Sequence, residues 1–283
     1  MPKPRIDKKA SSIAQIMLAN LDSWIRSPRT ILMLMFVAMI CYLQICGLRL
    51  TMDKTGYSMN LIEILFYEVN FGCNMPITTI IFLIMISEMP QKITFHQYIL
   101  IRSNRRLWLL SQILYCIIMV WMMLILILTF ISIFALPYAT HGTGWSAQKN
   151  NPGDIMCLED ALIDQYIIAQ FSPLSALLIA IVPVFCFWLT MELIILLFSI
   201  WGKPIWGVIA YASITVAHVT IMFEYLPIDI GMPMTYSTLS YLTSGYRGTE
   251  MIQYTKVICG YLFIFLLLLA GMMLGATKTE FNV

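Results

Sequence analysis

Six stretches of this chain are long, apolar and free of charge clusters, and no other feature restricts its fold as strongly. They run roughly over Thr30–Leu48, Ile64–Ile86, Leu109–Leu136, Pro173–Ile200, Ile205–Tyr225 and Val257–Ala276. A helix needs about 20 residues to cross the hydrocarbon of a bilayer, where nothing external satisfies its backbone. The chain is 60% hydrophobic and only 11% charged, where a soluble domain carries about 25% charged residues. So little charge cannot cover a surface in water. The expected fold is therefore an all-α integral membrane protein with six transmembrane helices. No Pro/Gly/Ser-rich linker divides it, so it reads as one transmembrane domain over residues 1–283. Residues 1–29 would form a cytoplasmic tail and an interfacial helix, 30–276 the six-span bundle and 277–283 a second cytoplasmic tail.

Orientation follows from the basic residues, which favour the cytoplasmic side. With the N-terminus inside, the inner segments hold twelve: Lys3, Arg5, Lys8, Lys9, Arg26, Arg29, Lys92, Arg102, Arg105, Arg106, Lys203 and Lys278. The outer segments hold five: Arg49, Lys54, Lys149, Arg247 and Lys256. Both termini are expected in the cytoplasm. The longest outer loop, roughly Pro137–Gln170, carries Asp154, Glu159, Asp160 and Asp164 with a single Lys, as suits an outward face. The first residues are basic but lead into no short apolar run with a cleavage site, so no signal peptide is expected.

Three segments between the apolar runs are informative. Ile13, Ile16, Met17, Leu21, Trp24 and Ile25 recur at helical spacing, with Gln15, Ala19, Asp22 and Arg26 on the other face. This predicts an amphipathic helix ending at Ser27–Pro28 and lying in the inner interface, with Trp24 at headgroup level. Alternatively, it packs on another subunit. The loop Ser87–Trp108 is the one sizeable cytoplasmic connection. It mixes Glu88, Phe95 and Tyr98 with the basic group Arg102, Arg105 and Arg106, and suits either a positive anchor or a docking element for a cytoplasmic partner. Leu226–Gln253 contains Pro227, Gly231, Pro233, Gly245 and Gly248 with many hydroxyls. It is too polar to cross, yet apolar enough to dip back into the outer leaflet.

These three segments and the six runs resemble the transmembrane subunits of type-2 ABC transporters, the exporter permeases. The resemblance covers most of the chain as an architecture. Ile13–Arg26 looks like the elbow helix of that family and Glu88–Arg102 like its coupling helix. Ile101–Trp108 is similar to the basic R-x-x-R lead into the third span, and Leu226–Gln253 would hold the re-entrant outer helices. Two departures stand out. The outer loop after the third run is longer than the minimal form, and the coupling segment lacks the glycine-containing pattern of many members. The resemblance implies a separate cytoplasmic ABC ATPase subunit that hydrolyses ATP with Mg and receives Glu88, Phe95, Tyr98, Arg102, Arg105 and Arg106. It also implies a second six-span membrane subunit, identical or related, in a plasma membrane of bacterial type.

The chain itself carries no GxxxxGK[ST] phosphate loop, so no nucleotide cofactor is expected on it. It has no HExxH, DDxxD or GxSxG motif. His141 stands alone in a Gly-rich outer loop, and a lone loop histidine is usually just solvated. The seven cysteines are Cys41, Cys46, Cys73, Cys116, Cys157, Cys186 and Cys259. They show no CxxC spacing and read as small packing residues, with no metal site and no disulfide framework. A net charge of +2 gives no reason to expect nucleic acid. The 21 methionines read as core and lipid-facing filler more readily than as a soft substrate cavity.

Titratable groups inside spans are costly and attract functional interest. Glu68, Glu192 and His218 qualify, as a possible polar cavity or gate. The plainer alternative is an interhelix tie to Asn70, Asn74 or Gln112. Glu68 and His218 are expected in the outer half and Glu192 nearer the inner end. The leading expectation is thus a non-enzymatic permease subunit of an ATP-driven exporter. It would move an amphipathic peptide, lipid, drug or glycolipid by alternating access. The alternatives are a non-transporting membrane assembly or immunity protein of similar topology, and, behind it, a membrane enzyme or secondary carrier.

Overall fold

Proline and small polar residues mark where the helices begin. Pro28 follows Ser27, lacks an N–H and has its φ preset, so it opens a helix at no hydrogen-bonding cost. The Ser27 N–H donates to the Trp24 carbonyl at 3.0 Å and the Thr30 hydroxyl donates to the same oxygen, which closes one helix and starts the next. Ser172 repeats the device before Pro173, its hydroxyl accepting from the Ser175 N–H at 3.3 Å. A computed structural model describes residues 8–55, 58–70, 74–86, 105–146, 165–222 and 254–278. Every regular element among them is a helix: α1 Lys8–Ile25, α2 Pro28–Thr55, α3 Leu61–Asn70, α4 Asn74–Ile86, α5 Arg105–Ala135, α6 Gln165–Gln170, α7 Pro173–Ile200, α8 Pro204–Met222 and α9 Tyr254–Lys278.

Four of these, within α2, α5, α7 and α9, are long and apolar enough to cross a bilayer. The second expected run falls on two helices, α3 and α4, and within the fifth the apolar helix is the shorter Pro204–Ala217. The α2 helix continues past Leu48 to Thr55, and α5 begins at Arg105 rather than Leu109. Part of the expected outer loop Pro137–Gln170 is itself helical, as α6.

The centre of the bundle is α7, which packs against α3, α5, α8 and α9. Its apolar window is 61% buried, against 17% for α9 at the periphery. On α2 the buried residues Met33, Val37, Cys41, Ile45, Leu48 and Met52 recur every three or four positions, while Ile31, Met35, Met39 and Leu43 face outward. Apolar residues on both faces of one helix are what lipid on one side and protein on the other require.

Side-chain contacts set the direction of each helix. Tyr42 meets Phe134 at 5.6 Å and Arg49 reaches the Tyr138 hydroxyl at 3.0 Å, so α2 and α5 run parallel. Trp121 meets Phe185 at 5.1 Å while Cys116 lies beside Glu192, so α7 runs against α5. Phe66 shares Trp145 with Phe171, and Phe82 stacks on Trp188 at 5.4 Å; α3 and α4 together therefore descend with α7. The α8 helix ascends from Gly207 against Ile195 to Tyr211, whose hydroxyl donates to the Thr79 carbonyl at 2.7 Å. The α9 helix descends from Tyr254 beside Ile179 to Gly271 beside Trp201. Up and down thus alternate along the chain.

Two helix breaks are resolved chemically. Pro183 inside α7 has no N–H for the Ile179 carbonyl, and the Tyr254 hydroxyl of α9 donates to that oxygen at 3.2 Å instead. At the far end of α7, Gly202 takes a left-handed φ of 71°. Its N–H bonds to Ser199 at 3.0 Å and the Lys203 N–H to Phe198 at 2.9 Å, a Schellman cap that turns the chain directly into Pro204 and α8.

The α1 helix packs on α5 of its own chain. Ile16, Asn20 and Trp24 form its buried face. The expected amphipathic periodicity is present, but Trp24 is only 6% exposed and so is covered by protein rather than offered to headgroups. Ile25, expected on the apolar face, is exposed.

Candidate functional site

Glu192 lies two-thirds of the way down α7 and is 1% exposed. Trp188, one turn earlier, is held by the stack on Phe82 and by its indole N–H, which donates to the Thr79 hydroxyl at 3.2 Å. Thr79 also receives the Tyr211 hydroxyl on its carbonyl, so α4, α7 and α8 are tied together at one level. Facing Glu192 across this level are Tyr115 and Cys116 of α5 and Tyr211 of α8. Neither carboxyl oxygen of Glu192 makes a hydrogen bond of ordinary geometry. The polar hydrogen beside it is the Cys116 thiol, a weak donor.

Gln112 lies one turn before Cys116 on the same face of α5 and is likewise buried. Its amide nitrogen has no hydrogen-bond partner. The interhelix tie between Glu192 and Gln112 anticipated as the plain alternative is therefore not formed. A buried polar group without a partner costs about 1–3 kcal/mol. Two of them on contacting helices make this a costly polar site.

The other two intramembrane candidates lie elsewhere. Glu68 is buried on α3 with Cys41 of α2 beside it. Phe66 and Phe171 meet at Trp145, so at 1.5 Å per residue Glu68 and Glu192 are separated by on the order of 25 Å along the bundle. His218 belongs to α8, about 10 Å beyond Tyr211 toward the end where α3 begins; its side chain lies outside the described residues. The three groups do not form one cluster. Of the expected coupling residues, Glu88, Phe95, Tyr98 and Arg102 lie outside the described residues. Arg105 and Arg106 open α5, their side chains also outside. The expected re-entrant segment Leu226–Gln253 and the acidic positions Asp154, Glu159, Asp160 and Asp164 lie outside them too.

A second polar assembly stands where α3 begins. Asn60 caps the helix, its side-chain oxygen accepting from the Glu63 N–H at 3.0 Å, and the Glu63 carboxylate accepts from the Asn60 N–H at 2.7 Å. The same carboxylate accepts the N–H and hydroxyl of Ser146. Asn60 donates to the Gly144 carbonyl at 2.8 Å, and the Thr140 N–H donates to Met59 at 2.9 Å. Trp145 then reaches the junction between α6 and α7, donating to the Phe171 carbonyl at 2.6 Å. Glu63 was not among the sequence candidates, because it stands just outside the second apolar run. The Asn60-x-x-Glu63 capping box was the available signal.

Among the described residues there is no group of three or more His, Cys, Asp or Glu side chains placed to hold a metal ion. Neither protein families, curated proteins nor solved structures give a match to this chain. The fold defines a multi-pass helical membrane protein.

Proposed function

We propose that the chain is the membrane-spanning permease subunit of an ATP-driven exporter of the type-2 ABC class. The alternation of helix directions carries the reading: α2 ascends, α3 and α4 descend, α5 ascends, α7 descends, α8 ascends and α9 descends. That order supports six crossings. They leave the α1–α2 junction, the start of α5, the Trp201–Pro204 turn and the end of α9 at one end of the bundle. Arg26, Arg29, Arg105, Arg106, Lys203 and Lys278 belong to that end, against Arg49, Lys54 and Lys256 at the other. That asymmetry favours a cytoplasmic lower end in a plasma membrane. The packing of α1 on α5, ahead of the first ascending helix, supports reading it as an elbow helix.

In this reading Glu88, Phe95, Tyr98, Arg102, Arg105 and Arg106 meet a cytoplasmic ATPase subunit that binds ATP and Mg. A second six-span subunit completes the pathway. Closure of the ATPase pair is transmitted through the start of α5 into the bundle, which opens outward to release an amphipathic cargo. Purification of the chain with its neighbours in mild detergent tests this. A nucleotide-hydrolysing subunit is expected to co-purify, and alanine at Phe95 and Tyr98 should abolish coupled ATP turnover while the protein stays in the membrane. Isolation without such a subunit would instead favour a membrane assembly or immunity protein of the same topology.

A further inference from the structure

Among the described residues, none supplies a counter-charge at the Glu192 level of the bundle. Ionised, the carboxylate presents acceptors with no donor but a thiol; neutral, it presents an O–H with no acceptor but the weak one of the thiol sulfur. No Lys, Arg or His is among the groups acting on it, and Tyr211 directs its own proton to Thr79. Gln112, one turn away on α5, offers two amide hydrogens with no acceptor. One species that donates to Glu192 and accepts from Gln112 satisfies both. A primary ammonium next to a carbonyl or hydroxyl has that chemistry, and Tyr115, Tyr211 and Trp188 supply aromatic surface that favours a cation.

We infer that Glu192, Cys116 and Gln112, between α5 and α7, form the recognition site for a protonated primary amine on the cargo. This rests on the exporter reading and narrows its cargo to amphipathic amines. The site is closed in this structure, Glu192, Cys116 and Gln112 each being at most 2% exposed, so the amine enters when α5 and α7 part.

The test needs neither the ATPase nor the natural cargo. The full chain in lipid nanodiscs is treated with a hydrophobic carbodiimide, and modification of Glu192 is read by peptide mass spectrometry. Phenethylammonium is expected to protect Glu192 at concentrations at least tenfold below those needed with phenethyl alcohol, its uncharged isostere. Sodium at equal ionic strength is expected to give no protection. Equilibrium binding of labelled phenethylammonium should fall at least tenfold in Glu192→Gln and two- to fivefold in Gln112→Leu. Equal protection by amine and alcohol, protection by sodium, or full binding in a folded Glu192→Gln protein would each overturn the proposal. The protection assay on the unaltered chain decides the matter even if the variants do not fold. Amine binding without a co-purifying ATPase would keep this site and remove the exporter reading; the converse would keep the exporter and remove the site.

Discussion

The Tyr254 hydroxyl donates at 3.2 Å to the Ile179 carbonyl, the oxygen that Pro183 leaves without a helical partner. The sequence places a proline in the middle of the most buried helix, and the fold compensates from another helix. Interhelix hydrogen bonds in membranes contribute about 0.6 kcal/mol on average and up to about 1.7. Tyr254→Phe should therefore lower stability by about 1 kcal/mol in a denaturation titration in mixed micelles. In a Pro183→Ala background, residue 183 regains an N–H for Ile179, and the same Tyr254→Phe change should cost less than half as much. Equal costs in both backgrounds would mean that the tyrosine does not serve the proline gap.

Glu63 holds the start of α3 and the 140–146 loop with one carboxylate. It accepts the Asn60 N–H at 2.7 Å and both donors of Ser146. Hydrogen bonds to a charged group contribute about 1.5–3 kcal/mol each, and removal leaves buried donors unpaired. Glu63→Ala is expected to cost about 2–3 kcal/mol and to raise hydrogen exchange at Thr140 and Ser146 well before exchange at α7. Ser146→Ala removes the hydroxyl alone and should cost less. Unchanged protection of that loop in Glu63→Ala would refute the role.

Gly207 marks a close approach of α7 and α8. A Cβ built there lies 3.0 Å from the Ile195 Cα and 3.2 Å from the Phe198 Cβ, and backbone cannot step aside as a flexible side chain would. Gly207→Ala should destabilise by about 1–3 kcal/mol through forced separation of the two helices. Gly47 on α2 meets nothing within 4 Å, so Gly47→Ala is the matched control. It should be neutral or stabilising by less than about 1 kcal/mol, from helix propensity alone. The difference between the two variants, measured in the same micelles, isolates the contact.

Much of the architecture is written in local signals, and what is missing from the sequence is relational. The bounds of α7, Pro173–Ile200, coincide with an apolar run because serine, proline and glycine delimit it chemically. The amphipathic face of α1 was legible at Ile16 and Trp24, yet its partner α5 was not, since periodicity states which face is buried and not against what. Glu192 was conspicuous as a carboxylate in an apolar run. Cys116 and Tyr211, its neighbours, looked like ordinary packing residues, because their meeting depends on the rotation of three helices about their own axes. Glu63 was overlooked for the opposite reason: its role is local, in the capping box with Asn60, but it lies at the edge of a run judged by hydropathy.

The directions of the helices make a topological prediction independent of any function. His141 lies exposed in the loop that α5 leads into, and Lys203 in the turn between α7 and α8, at opposite ends of the bundle. With the described cysteines all unpaired, a background in which the seven native cysteines are replaced by serine or alanine carries single probes at these two positions. In intact cells a membrane-impermeant maleimide should label His141→Cys and leave Lys203→Cys unlabelled until the membrane is opened. This sense follows from the orientation proposed above, since an excess of Lys and Arg favours the cytoplasmic side. Labelling of both positions from one side would show that α7 does not cross. Labelling of Lys203→Cys alone would show that the bundle stands inverted, with the basic end outward.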